Sequence, residues 1–172
     1  MIKFVSIILP FLLVGCISSL PIYKIDDITD HIDGRRSTQL VGNRLAPAYT
    51  GTDVEFDAEK FIAWNGNIYY SIVLNVVSLN RLFIAEGESL VLLVDGTRIG
   101  FSGDGSANYR ESGEDGAIEE TAYYDVTPAQ LKLIANAKDV RIKIKGAQFS
   151  VKRKFFPENF ANLKRFIAEY VD

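Results

Sequence analysis

The stretch SGDGSANYRESGEDG (Ser102 to Gly116) gathers oxygen-bearing side chains at a spacing that suits a hard cation. Asp104, Ser106, Asn108 and Asp115 stand at positions 1, 3, 5 and 12 of a calcium-loop register. Position 6 is Tyr109, where the sharp turn requires Gly. Position 12 offers Asp, which is shorter than the bidentate Glu of such loops. The flanks read as strands, and Gly and Ser are ordinary loop residues. The stretch is therefore read as a flexible polar loop, with these four residues as weak calcium candidates and no metal assigned. His31 is the only histidine and lies among Asp26, Asp27, Asp30 and Asp33. Common zinc sets need further His or Cys ligands, so this cluster reads as a solvated acidic surface. Nucleophilic catalysis lacks a Gly-x-Ser-x-Gly elbow, and a triad would have to recruit His31. Glu119 and Glu120 are strand neighbours and point to opposite faces, so they cannot share one site. No Gly-rich phosphate loop opens a helix. The sequence points away from an enzyme and calls for no cofactor.

One charged pattern stands out. In DVRIKIKG, Val140, Ile142 and Ile144 alternate with Arg141, Lys143 and Lys145. If residues 139–145 and 147–154 pair as a hairpin, Lys152 and Lys154 join the same face, with Phe149 and Val151 turned to the core. Like charges directly opposite destabilise a sheet. Such a cluster needs nearby acids or a use: an anionic lipid headgroup, a glycan carboxylate or an acidic protein. The plain alternative is a solvated face whose lysines guard an edge.

The only cysteine, Cys16, follows an uncharged and mostly apolar run from Phe4 to Gly15, itself preceded by Lys3. That run is far shorter than the ~20 residues of a membrane-spanning helix and reads as a signal peptide. Leu13-Val14-Gly15-Cys16 resembles the lipobox of bacterial lipoproteins: an aliphatic residue three before the cysteine and a small one just before it. The resemblance implies cleavage after Gly15, acylation of the Cys16 thiol and amino group, and a place in the bacterial cell envelope. With Ile17 next rather than Asp, it points to the outer membrane, facing the periplasm. The expected organisation is a signal peptide over 1–15, a lipidated tether over 16–24 and one globular domain over 25–172.

Cleavage removes Lys3 and leaves 18 basic against 22 acidic residues, a net charge of −4. This mild acidity argues against a nucleic-acid binder. The remaining chain has no cysteine, so its core alone must hold it. Asn65-Gly66 and Asp95-Gly96, each between β-rich runs, predict hairpins. Thr127-Pro128 opens a short helix near 128–137, and Pro157 opens a C-terminal helix near 157–171 with Phe160, Leu163, Ile167 and Tyr170 on one face. A further strand is expected near Ser37–Asn43. These elements predict a mainly β or α+β domain, an antiparallel sandwich or curved sheet with the last helix laid on one face.

The runs SLVLLVDGTRI, ETAYYDVTPAQLKLIANAKDVRIKIKG and FPENFANLKRFIAEYV resemble a loose class of uncharacterised bacterial envelope proteins, which implies architecture and no activity. The expected role is a lipid-anchored, non-catalytic binding or accessory module. The alternatives are a periplasmic inhibitor or immunity-type protein using the 102–116 loop, and a carboxylate-dependent hydrolase with two acids converging in a cleft.

Overall fold

A computed structural model describes residues 21–30, 32, 34–45, 51–106, 116–171 and the backbone of 110–112. Two long strands, β3 (Thr52–Ile62) and β4 (Ile68–Ser78), form the central hairpin of a six-stranded sheet. On one side lie β2 (Arg36–Val41) and β1 (Lys24–Thr29); on the other lie β8 (Ile118–Asp125) and β7 (Arg110–Ser112). The second sheet has four strands in the order β10 (Ser150–Lys154), β9 (Val140–Lys145), β5 (Gly87–Val94), β6 (Thr97–Gly103). Every neighbouring pair in both sheets is antiparallel. Helix α1 (Pro128–Asn136) carries the chain from β8 in the first sheet to β9 in the second, and α2 (Pro157–Tyr170) closes the chain.

The alternation of the strands builds the core. Phe56, Ala58, Ile72, Leu74, Val76, Ala122 and Tyr124 face inward from the first sheet. Leu90, Leu92, Ile142, Ile144 and Val151 meet them from the second, with Leu131 and Ile134 of α1 and Leu163 and Phe166 of α2 in the same cluster. Helix α1 starts on a reciprocal cap: Thr127 Oγ1 accepts from Gln130 N, and Gln130 Oε1 accepts from Thr127 N. Between β5 and β6 the two-residue turn Asp95-Gly96 has both residues at positive φ, 47° and 87°, as a type I′ hairpin demands. Asp95 Oδ1 also accepts from Lys138 N and Asp139 N, which fixes the approach to β9.

The sequence-based expectations of both helices, both hairpins and the β-rich class hold in the structure. Two details differ. The tether expected up to residue 24 is partly folded: Pro21 is buried, and Tyr23 donates to Glu169 (2.6 Å) beneath the Arg165 guanidinium, 4.0 Å from its ring centroid. Phe149, expected in the core, is 38 % exposed, because β10 begins one residue later and Phe149 belongs to the turn whose carbonyl accepts from Gly146 N. No described helix is long and apolar enough to cross a membrane.

Candidate functional site: the basic face of the second sheet

The alternation of β9 turns Arg141, Lys143 and Lys145 away from the core. In β10, Val151 and Arg153 turn inward, so Lys152 and Lys154 turn outward. The register sets Lys152 directly opposite Lys143, and Lys154 opposite Arg141. All five cations of the predicted stripe thus share one face. On β5 the next neighbours are Val91, opposite Lys143, and Leu93, opposite Arg141; Arg98 of β6 stands opposite Leu93.

Two acids hold the margins of this face. Glu88 takes Lys145 Nζ at 3.1 Å and also pairs with Arg98. Asp139 accepts from Arg141 Nε at 2.9 Å, and Lys154 Nζ lies 3.1 Å from its other oxygen. Hydrogen bonds from Arg98 and Lys145 hold the Glu88 carboxyl below its ordinary pKa, and Lys154 and Arg141 do the same for Asp139. These pairs are solvent-exposed and add little to stability. In the middle, Lys143 and Lys152 face each other with no acidic partner among the described residues. Six cations against two acids leave the face strongly positive on a chain whose net charge is −3.

The first sheet's outer face has the opposite sign. Asp53, Glu55, Asp57 and Glu59 share it along β3, with Glu119 and Asp125 on β8. Arg44 lies 3.8 Å from both Asp53 and Glu55. Asp57 is fully buried there: its Oδ1 accepts from Asn43 N (2.9 Å), and its Oδ2 from Asn75 Nδ2 (3.3 Å). Burial pushes its carboxyl up to about 8, against the pull of the Asn43 and Gly42 N–H groups. Burial also raises Glu55. These two acids stand two apart on one strand, but neither is among the described lining of the cavity beside Arg153 or of the cleft beside Tyr69.

The remaining candidates are dispersed. Of the calcium-loop set, Asn108 and Asp115 lie outside the described residues, as do His31, Asp33 and Cys16. Asp104 is exposed, whereas Ser106 is buried and turned the other way: its hydroxyl donates to Glu120 and accepts from Ile84 N at 3.1 Å. Among the described residues no three His, Cys, Asp or Glu side chains converge. Glu119 and Glu120 lie on opposite faces, Glu119 outward and Glu120 buried. Of the aromatics, Tyr124 is core, while Trp64 (78 % exposed) and Tyr69 (51 %) stand at the free end of the β3–β4 hairpin. Tyr69 and Tyr70 border a shallow cleft of about 390 Å³ with Asp125 and Gln130.

Three inward polar groups were not anticipated from the sequence. Glu120 accepts from the N–H groups of Leu82, Phe83 and Ile84. Asn43 Oδ1 accepts from Asn159 Nδ2 (2.8 Å) and Asn162 Nδ2 (3.2 Å), tying α2 to the end of β2. Arg153 donates to the carbonyls of Thr52 and Lys152. For Glu120 and Arg153 the signal was a polar residue at core parity within an alternating strand, beside Ala122 and Val151; Asn43 lies beyond the end of β2 and carried no such signal. Comparison of the chain with family models, with curated proteins and with solved structures finds no match in any of the three.

Proposed function

We propose that this chain is a lipid-anchored protein of the bacterial envelope and acts as a non-catalytic binding module, laying the basic face of its second sheet against an anionic surface. The observation that carries this reading is the facing pair Lys143 and Lys152, left without acids while the cations around them are paired. Holding two ammonium groups opposite each other costs stability unless an anion lies over them. The exposed Leu93 beside them adds an apolar contact of the kind an interfacial surface accepts. The proposed anchor is close. Four residues separate Cys16 from Pro21, and an extended chain reaches at most roughly 3.5 Å per residue, so Pro21 would sit within about 20 Å of the acylated cysteine. Pro21 rests on α2, where Asn162 Nδ2 lies 3.5 Å from its carbonyl oxygen, and α2 presents the exposed Lys164 and Arg165 on the same body.

The test is sedimentation of residues 17–172 with neutral vesicles and with vesicles containing an anionic phospholipid. Each basic residue near an anionic surface contributes about 1 kcal/mol, so Lys143→Gln with Lys152→Gln should lower binding about 30-fold. The opposite change, Glu88→Gln, frees Lys145 and Arg98 and should raise binding. Without vesicles, thermal stability should rise slightly in the double variant, by relief of the facing charges, and barely move in Glu88→Gln, whose pairs are exposed. Equal binding to neutral and anionic vesicles, or variants indistinguishable from wild type, refutes the reading. Capture of an acidic protein instead of vesicles would reassign the face to that partner.

A further inference from the structure

Beside the basic face the molecule has a cavity of about 470 Å³, lined by Thr52, Asn80, Phe149, Ser150, Lys152 and Arg153 among others. It lies where the start of β3 and the end of β4 meet the edge strand β10. Its lining offers hydroxyls, an amide, an ammonium and a guanidinium. No carboxylate stands among the described lining residues.

Arg153 is the unusual member. It is 6 % exposed, it occupies the core side of β10, and no carboxylate among the described residues forms an ion pair with it. A buried charge of this kind is ordinarily paired. Guanidinium carries five N–H donors. Here Nη1 donates to Lys152 O at 2.8 Å and Nη2 to Thr52 O, while Nε is buried with no hydrogen-bond partner among the described residues. Both filled acceptors are neutral carbonyls. Burial lowers the pKa of Arg153, with Asp53, whose side chain lies on the outer face, pulling the other way. Nearby, Lys152 adds a second positive charge, and the Asn80 amide and Ser150 hydroxyl make no hydrogen bond of their own among the described residues.

We propose that this cavity is an oxyanion-binding subsite, with Arg153 as its fixed donor and Ser150 and Asn80 as its mobile ones, taking a single phosphate group. The planar guanidinium is suited to a tetrahedral oxyanion, and an anion in the cavity would supply the missing counter-charge. The site stands apart from the proposed membrane face: it needs Arg153, which that face does not, and not Lys143, which that face does. The phosphate could belong to a free metabolite or to a lipid headgroup, and the experiment separates the two.

The full mature chain in detergent would be titrated with inorganic phosphate against chloride at equal ionic strength. Two signals are read: the Arg153 Nε–Hε resonance and the melting temperature. Phosphate should shift the resonance and raise the melting temperature; at a hundred times its dissociation constant the folded-to-unfolded ratio rises about 100-fold. Arg153→Met should abolish that phosphate-specific rise, whatever it does to stability in chloride. Lys143→Gln should leave the rise intact while weakening vesicle binding, so this site and the membrane reading can fail separately. A resonance that moves with anionic phospholipid vesicles but not with free phosphate assigns the headgroup as the source. No movement with either, or an equal rise in Arg153→Met, overturns the subsite and leaves Arg153 as a tie between the two sheets.

Discussion

Glu120 offers the sharpest test of how this fold holds itself together. It is 1 % exposed, on the core side of β8, and its carboxylate accepts from three consecutive backbone N–H groups: Leu82 (2.7 Å), Phe83 (2.9 Å) and Ile84 (3.1 Å). The Ser106 hydroxyl donates as well. Those N–H groups belong to the segment that crosses from the first sheet to the second. That segment is tightly confined: a Cβ on Gly146 would meet Leu82 O at 2.1 Å, and one on Gly105 would meet Ile84 O at 2.5 Å. In Glu120→Ala the Leu82 N–H and the Ser106 hydroxyl lose their acceptor in the core. Phe83 is only half-buried and can turn to water, and Ile84 N keeps Ser106 Oγ. At about 1–3 kcal/mol for each stranded donor, plus the cavity, the loss should be about 3–5 kcal/mol. Glu120→Gln keeps one acceptor oxygen and the volume, so it should cost about half as much. That is a large share of the 5–15 kcal/mol typical of a domain. Denaturant midpoints should be followed by far-ultraviolet circular dichroism, since the only tryptophan, Trp64, is 78 % exposed already. The pH dependence has a definite sign. Burial pushes the Glu120 carboxyl up, but the Ser106 hydroxyl and the three N–H groups outweigh it and hold its pKa below the ordinary value. Its contribution is therefore complete above the usual Glu range of about 4.3 and fades as pH falls through the lowered value. The gap between wild type and Glu120→Gln should shrink in acid. A Glu120→Ala loss below about 1 kcal/mol, or equal losses for Ala and Gln, would refute the reasoning.

Asp57 should show the reverse pH behaviour. Burial raises its pKa to about 8, so its contribution is full below the ordinary Asp value and is lost as pH rises through about 8. Asp57→Asn removes that titration, and its denaturant midpoint should vary less than wild type's between pH 5 and pH 9; parallel profiles would show that Asp57 does not titrate there. Cys16→Ala should abolish metabolic labelling with a fatty acid and leave the uncleaved precursor. A processed, membrane-held Cys16→Ala protein would end the lipobox reading.

What the sequence made legible was local. The turn Asp95-Gly96 needs only two residues that tolerate positive φ, and Thr127 to Gln130 carries its own cap; both are complete within four residues. The alternation of Val140 to Lys145 fixes inside and outside without reference to any other strand, which is why the five-cation face could be named. Edge strand β1 was missed because KIDDIT buries almost nothing: five of its six residues are exposed, so no alternation survives to be read. The acids that neutralise the margins of the basic face were also invisible. Glu88 reaches Lys145 across 57 residues, a proximity that exists only once β5 pairs with β9. Glu120 and Arg153 illustrate the same limit in the core. Their parity marks them as inward, but their partners, Leu82 to Ile84 and Thr52, come from other elements, and the division of the strands into two sheets decides who those partners are.

That division also resolves an apparent conflict between composition and the proposed role. A mildly acidic protein is a poor candidate to approach an anionic surface if its charge acts as a single sum. Here the topology sorts the charges: β3 and β8 send Asp53, Glu55, Glu59 and Glu119 outward on one side, and β9 and β10 send their cations outward on the other. Packed sheets are about 10 Å apart, and side chains on the two outer faces extend that separation further. The Debye length at physiological ionic strength is about 8 Å, so an anion at the basic face is largely screened from the acids behind it. What such an anion meets is the local excess around Lys143 and Lys152, not the net charge of −3. It follows that vesicle binding should fall steeply with added salt, whereas neutralising acids on the far face, as in Glu119→Gln, should change it little. A large gain from Glu119→Gln would mean that the summed charge governs the approach, and the proposed local docking at Lys143 and Lys152 would then be wrong.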